Sequence, residues 1–388
     1  MEIVSYGRQP APPAAAWPSS RSRRPSASRA GPALRQVSRA TPDESRVGWV
    51  DTAKGICIIL VVMMHATLGV ETELGREGFM HTALAFAKPF RMPDFFLVSG
   101  LFLFRVIDRD WRSYADKRVV HFLYFYVLWL VIQSGFKVAQ VSGGSPSGFV
   151  HHLAVSLVEP YSTLWFIYIL AVFSVVTKLL RRVPPVVLFA AGAALQIMPV
   201  QTGSFLVDEF CERWVYFLAG YLFAAHIFRL ADWARGHAGP ALAALGLWAA
   251  VNGVLALTPF DTASRVMISD LPVIGLALGL AGALAIVALA SLITGWRIIE
   301  PLRYAGAHSI AIYLTFFLPM ALTRTLLVQT GIIEDVGIVS AIVTAIAVVV
   351  PLAIERLVSP TRFSFLYRRP DWARIGVARP RLQVQPAE

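Results

Sequence analysis

Apolar stretches of roughly 20 residues, each long enough to cross about 30 Å of hydrocarbon, recur along most of this chain. They lie near 50–70, 79–104, 119–138, 163–178, 184–200, 212–228, 240–258, 271–294, 306–327 and 336–354. The pattern predicts an all-α fold: a polytopic membrane helical bundle with about ten transmembrane helices. Composition agrees. Charged residues are 15% of the chain and hydrophobic residues 56%, against about 25% charged in soluble domains; mean hydropathy is +0.61. At 388 residues the chain could hold two or three soluble domains, but the apolar series favours one membrane domain over 46–360. A C-terminal tail, 361–388, is expected in the cytoplasm. Residues 1–45 are rich in Pro, Ser, Ala and Arg, with Glu2 the only acid before Asp43, and are expected to be a disordered basic tail. They have no apolar core of the kind a secretory signal needs; the composition also resembles an organelle transit peptide.

The basic residues set an orientation. Arg35, Arg39 and Arg46 precede the first stretch, and Arg105, Arg109, Arg112, Lys117 and Arg118 follow the second. Further clusters are Lys178, Arg181 and Arg182, then Arg229 and Arg235, then Arg297 and Arg303, then Arg356, Arg362, Arg368 and Arg369. Between them, 139–162 has no Lys or Arg, and 201–211 carries Asp208 and Glu209 instead. Every second loop is basic, so the positive-inside rule puts both termini in the cytoplasm. The net charge of +11 therefore reads as topology, not as a nucleic-acid surface. Cys57 and Cys211 both fall in apolar stretches, which argues against a disulfide framework, and no metal-ligand spacing is evident. No internal repeat of the inverted-repeat transporter type is visible.

Ionisable groups inside a span cost about 2.5–3.5 kcal/mol on insertion scales, so those retained mark function. In the first span Asp51 and Lys54 are one turn apart near the cytoplasmic end. His65 follows Lys54 by about 16 Å along the axis on roughly the same face; the plainer role for it is a neutral imidazole bonded to a neighbouring helix. In the second span Pro89 and Pro93 are expected to break the helix, and Arg91 and Asp94 between and beside them could form a structural ion pair. Freed backbone carbonyls there are tolerated only where protein or a cavity satisfies them. Trp165 opens the fourth span and could be an interfacial anchor. Glu212 and Arg213 open the sixth. In the ninth, Gly306 and Ser309 suit close helix packing, and His308 reads as structural.

These residues fall into an order that resembles the membrane acyltransferase family 3, particularly its branch related to fucose 4-O-acetylases. Asp51, Lys54-Gly55 and His65 match its first-span pattern. Phe90-Arg91-Met92-Pro93-Asp94-Phe95-Phe96-Leu97-Val98-Ser99-Gly100 matches its Phe-His-Met-Pro-x-Phe-Phe-x-x-Ser-Gly, with Arg91 in place of His. Leu164-Trp165-Phe166 and Ser309-Ile310-Ala311-Ile312-Tyr313-Leu314 match two further signatures. Lys54 stands where many members have Arg, and Thr315-Phe316 where many have His after Tyr-Leu-x. The resemblance covers about 46–360.

It implies an O-acyltransferase that moves an acyl group, usually acetyl, from acyl-CoA to a hydroxyl of an extracytoplasmic carbohydrate or lipid-linked acceptor. Acetyl-CoA is then a co-substrate, with no permanently bound cofactor and no metal. On this reading Asp51, Lys54, Arg118 and Arg303 form the cofactor-binding set at the cytoplasmic side, although Arg118 has a plain topogenic role as well. His65 is the expected general base, and Arg91 or Tyr313 the stabiliser of the oxyanion. Asp94 joins the catalytic group, with Ser99 or His65 as an alternative acyl-enzyme nucleophile. Trp165, Glu212, Arg213 and Ser309 are expected to bind substrate. The composition fits a bacterial inner membrane. A rival reading is a transporter or flippase of a sugar-linked lipid, since broken helices and buried charges suit that too.

Overall fold

The computed structural model describes residues 47–143, 145–261 and 266–375. The basic tail expected over 1–45 and the stretch 376–388 lie outside the described residues. The helices, in chain order, are α1 (Gly48–Leu74), α2 (Phe79–Gly100), α3 (Trp111–Ala115), α4 (His121–Phe136), α5 (Val138–Val141), α6 (Pro146–Ser156), α7 (Trp165–Leu179), α8 (Pro185–Ile197), α9 (Phe205–Leu222), α10 (Ala224–Gly236), α11 (Ala238–Leu257), α12 (Pro272–Ile293), α13 (Glu300–Ala307), α14 (Ser309–Thr315), α15 (Phe317–Thr330) and α16 (Val336–Val358). A π-turn, Asp116–Val120, joins α3 to α4. The only strands among the described residues are the short antiparallel pair β1 (Pro259–Asp261) and β2 (Val266–Met267), between α11 and α12.

The fold is an all-α polytopic bundle, as the sequence predicts. Each of the ten apolar stretches coincides with a helix or a bent helix pair. Six helices are long and apolar enough to cross a membrane, or eight if each bent pair counts as one span. The two stretches that fall short do so for separate reasons. α2 carries Lys88, Arg91 and Asp94. α8 has 13 residues, about 20 Å of helix. The sixth stretch begins at Phe205, earlier than its apolar run, and bends by 72° between α9 and α10. The ninth bends by 54° between α14 and α15.

α2 runs through Pro89 and Pro93 as one helix, where a break was expected. Each proline removes a single donor. α2 packs on α1, α9 and α12, and in such a setting protein, not lipid, surrounds the freed carbonyls. Absent side chains allow the approach. A Cβ built on Gly100 would lie 2.2 Å from the Phe217 carbonyl oxygen, and one on Gly220 would lie 2.0 Å from that of Leu97. The two glycines thus face each other's helices across the α2–α9 contact, the small-residue packing of membrane helices. α1 and α13 meet in the same way: a Cβ on Gly306 would sit 1.7 Å from the Asp51 carbonyl oxygen, one on Gly55 2.2 Å from that of Leu302. The close-packing role read for Gly306 is therefore what the structure shows.

Ile58, Phe96, Tyr126, Phe173 and Phe217 are fully buried at the centre of the bundle. On the outside, α11 exposes Leu242, Leu247, Val251 and Val254, a face that suits hydrocarbon. The region after α16 is more than a tail. Trp129 donates its indole N–H to the Leu366 carbonyl (3.0 Å), the Thr315 and Tyr367 hydroxyls share a hydrogen bond (2.8 Å), and Arg369 pairs with Asp116 (2.8 Å). The Ile375 amide also donates to Asp116 (2.8 Å). Residues 362–375 thus form a strap over α4 and the π-turn. Just before α3, the Asp110 carboxylate accepts the Ser113 amide (2.8 Å), which holds its pKa below the usual carboxylate value.

Substituting Gly306→Val puts branched carbon into the α1 backbone. The expected loss is about 2 kcal/mol or more, since overpacking alone costs about 1–3. Gly246→Ala, with open space around it, should leave stability unchanged or raise it. Thermal unfolding of both variants in detergent checks the contrast.

Candidate active site

Two adjoining cavities lie along one face of α1. The first, about 200 Å³, is nearer the start of α1 and is lined by Lys54, Cys57, Ser99, Arg118, Ser309 and Tyr313, among others. The second, about 60 Å³, is lined by Met64, His65, Met92, Thr163, Trp165 and Tyr313, among others. Phe95, Phe166 and Tyr313 line both, so these three rings form the partition. Phe166 meets Phe95 and Tyr313 edge-on, with centroids 4.5 Å and 5.7 Å apart. The eleven-residue spacing of Lys54 and His65 places them on opposite sides of that partition, as their shared helix face requires.

Lys54 is held by the buried Asp51 at 3.8 Å. Arg118 enters the first cavity from the π-turn, a geometry that often marks functional positions. The strap fixes that turn: Arg369 donates to both the side chain and the backbone carbonyl of Asp116. Ser99 lines this cavity, but its hydroxyl donates to the Phe95 carbonyl (2.7 Å) and not to a base. Ser309 lines it too. Arg303 does not; it pairs with Glu300 (2.8 Å) at the surface.

On the other side, the His65 ring lies 5.5 Å from that of Phe316. His65 also borders a second, open crevice with Leu68, Gly69, Thr72, Glu73 and Arg324, in which Arg324 pairs with Glu73 at 2.7 Å. Trp165 carries the Arg213 guanidinium 5.5 Å above its ring. Arg213 in turn pairs with Glu209 and, at 3.4 Å, with Glu212. Trp165 is thus a cavity wall, and Glu212 reaches the site only through Arg213. These residues come together because α9 begins at Phe205, which puts Glu209 one turn before Glu212 and Arg213.

Three expectations are corrected. Arg91 and Asp94 form no ion pair. Asp94 is fully buried and accepts a hydrogen bond from the Cys57 thiol (2.7 Å), whereas Arg91 opens onto a separate cavity near the far end of α1. Met92 and Phe95, on the adjoining face of α2, take the positions toward His65. Asp94 accordingly lines neither of the two cavities. The Tyr313 hydroxyl is committed, donating to the Thr163 carbonyl, so its single proton is not free for an oxyanion. His308 accepts the structural role, with its ring against Tyr304 at 4.2 Å.

Thr163 is a functional candidate that no motif in the sequence marks. Its Oγ1 is buried, has no hydrogen-bond partner among the described residues, and belongs to the His65 cavity wall. Ser162 before it sits at φ 50°, the one non-glycine in the left-handed region among the described residues. Such a conformation costs about 1–3 kcal/mol and persists where surroundings enforce it. Tyr313 anchors the carbonyl of the next residue, Thr163. An uncommitted hydroxyl beside a His is the signal, and only coordinates reveal it.

A family model described as an acyltransferase domain, that of acyltransferase family 3, matches residues 47–356. The inner membrane protein YcfT of Escherichia coli (strain K12) is 26% identical over 207 residues, covering 46% of this chain and 57% of that protein. The chain thus spans little more than half the length of this relative. No solved structure matches the chain.

The aromatic partition is open to a direct test. A cysteine at Ser99, in a chain lacking Cys57 and Cys211, should react with an impermeant maleimide from one face of the membrane only. After Tyr313→Ala it should react from both. Labelling of sealed vesicles of each orientation reads the outcome; labelling from both faces before the substitution would mean the rings form no barrier.

Proposed function

Since the chain belongs to the membrane acyltransferase family 3, we propose that it is an O-acyltransferase that takes an acyl group, acetyl in the first instance, from acyl-CoA to a hydroxyl on a carbohydrate or lipid-linked acceptor. The observation that carries this reading is the pair of chambers. One is basic and suits the phosphates of a CoA; the other holds a His; three rings stand between them.

On this reading the first chamber faces the cytoplasm, in the inner membrane of a bacterium, with both termini on that side. Lys54 and Arg118 bind the phosphates as cations, with Asp51 orienting Lys54. The pantetheine arm lies along Phe95 and Phe166, and its thioester reaches the His65 chamber. The acceptor enters from the other face. His65 removes the proton from the acceptor hydroxyl. The oxygen attacks the thioester carbonyl carbon, and negative charge builds on the carbonyl oxygen. Thr163 Oγ1 donates to that oxygen. The C–S bond breaks, and the CoA thiolate takes the proton from the His65 imidazolium, leaving an ester and free CoA. Trp165 packs against the sugar, with Arg213 held over its outer face. Tyr313 is a positioning residue that aims Thr163. Ser99, with its proton engaged elsewhere and His65 across the partition, is poorly placed as a covalent nucleophile.

The deciding experiment incubates the purified chain with acetyl-CoA labelled in the acetyl group and a panel of glycans and glycolipids. Label should enter an acceptor, and His65→Ala should reduce the rate by about 10²–10⁴-fold, the usual scale of acid–base help. Absence of both transfer and thioester hydrolysis, from folded protein offered several acyl-CoAs, would favour a transporter of a sugar-linked lipid instead.

Two variants assign the remaining roles. Thr163→Val should lower kcat about 10²-fold, as the loss of one oxyanion donor does, while Thr163→Ser keeps most of the rate. Lys54→Gln should raise KM for acyl-CoA about tenfold and leave KM for the acceptor unchanged, because one charge-assisted contact is worth about 1.5–3 kcal/mol.

A further inference from the structure

Near the far end of α1 a cavity of about 770 Å³ is bordered by Met64, Leu68, His81, Lys88 and Arg91. Met64 also lines the His65 chamber, and Leu68 the crevice that His65 borders. The large cavity therefore adjoins the His65 chamber, with Met64 as their shared wall, on the side opposite Lys54. Most charges around it are answered. Lys88 pairs with Asp270 (2.7 Å), and His81 lies 2.9 Å from Glu71 and 3.9 Å from Glu77. Outside this lining, Arg213 has Glu209 and Glu212.

Arg91 is the exception. Its Nε and Nη1 are buried and have no hydrogen-bond partner among the described residues. The nearest acid in sequence, Asp94, is bonded to Cys57. A guanidinium held at membrane depth with no counter-charge is a costly arrangement. A ligand that carries the counter-charge removes the cost, and a planar fork of donors suits a carboxylate or phosphate held by two oxygens.

We propose that Arg91 is the receptor for an anionic group on the acceptor, so that the chain acts on acidic glycans, such as those bearing a uronic acid or a phosphate, in preference to neutral ones. This rests on the acyl-transfer reading for its meaning but not for its test. Bound there, the anion holds the acceptor in the cavity next to the His65 chamber, and the hydroxyl that reacts is one a short distance from the charge, reaching His65 past Met64. The cavity is large enough for a sugar with its substituent, whereas the His65 chamber of about 60 Å³ admits only the reacting end.

The test is equilibrium binding without any acyl donor, using methyl glucuronide and methyl glucoside as probes. They differ by a carboxylate in place of a hydroxymethyl group. The full chain is held in phosphatidylcholine nanodiscs, and ligand-observed NMR reads the affinity. The glucuronide should bind about tenfold tighter or more, on the scale of one charge-assisted bond. Arg91→Gln should abolish the difference. Arg91→Lys, which keeps the charge and loses the fork, should give an intermediate preference and serves as the test if Arg91→Gln does not fold. Equal affinities in the wild type, or a preference that survives Arg91→Gln, would overturn the proposal. So would a preference that vanishes when phosphatidylglycerol is added, because Arg91 would then hold a lipid headgroup. Since no thioester is present, these results stand whether or not label transfer is found.

Discussion

A helix that carries Lys88, Arg91, Asp94 and two prolines can cross hydrocarbon only inside a protein sheath, and the rest of the bundle is arranged around that requirement. Carbonyls freed by Pro89 and Pro93 and the polar carboxyl group of Asp94 each need an enclosure that lipid does not provide. The sheath comes from α1, α9 and α12; Gly100 and Gly220 bring α2 and α9 to backbone contact, and Gly279 and Gly282 make room on α12 for the Pro93 and Phe90 side chains. Once α2 is enclosed, its other faces are free to carry function. Met92 and Phe95 turn toward His65, Ser99 toward Lys54, and Arg91 toward the large cavity. One helix thus borders three chambers, and their separation follows from the angular offsets of a single α-helix.

The same economy governs the basic end. A π-turn at Asp116–Val120 shifts the register of everything after it by part of a turn. That shift is stabilised far away in sequence, by Arg369 and the backbone of Ile375. Arg118 therefore depends on residues about 250 positions later for its aim. A salt bridge in which both side chains are largely buried, as in Asp116–Arg369, gains from the extra hydrogen bonds that satisfy the remaining carboxylate oxygen.

Much of this was readable before any coordinates. The apolar runs marked the helices, because hydropathy over about 20 residues is a bulk property that local detail does not disturb. Lys54 and His65 were placed on one face because helical spacing fixes direction. Gly306 was read as a packing residue for the same kind of reason. What escaped the sequence were relations between segments distant along the chain. Asp94 and Arg91, three residues apart, were natural partners until Cys57 from another helix claimed the acid. Thr163 looked like any loop threonine until its hydroxyl proved to be without a partner and its neighbour Ser162 strained. The strap was invisible because its partners, Asp116, Thr315 and Trp129, sit in three different parts of the sequence. Helix ends were also blurred: α9 starts with Phe205 amid polar residues, where hydropathy alone places a loop.

The partition of Phe95, Phe166 and Tyr313 has a consequence for the membrane itself. The two cavities along α1 meet at these three rings, so on the proposed reading the rings are the barrier between the two sides of the bilayer. An apolar constriction sheds water, and a hydrated ion that passes it must lose its shell. The rings can therefore yield to an uncharged group while still blocking sodium and protons. Any variant that enlarges this passage risks short-circuiting the cell's ion gradients, which places a physiological limit on how wide the protein can open.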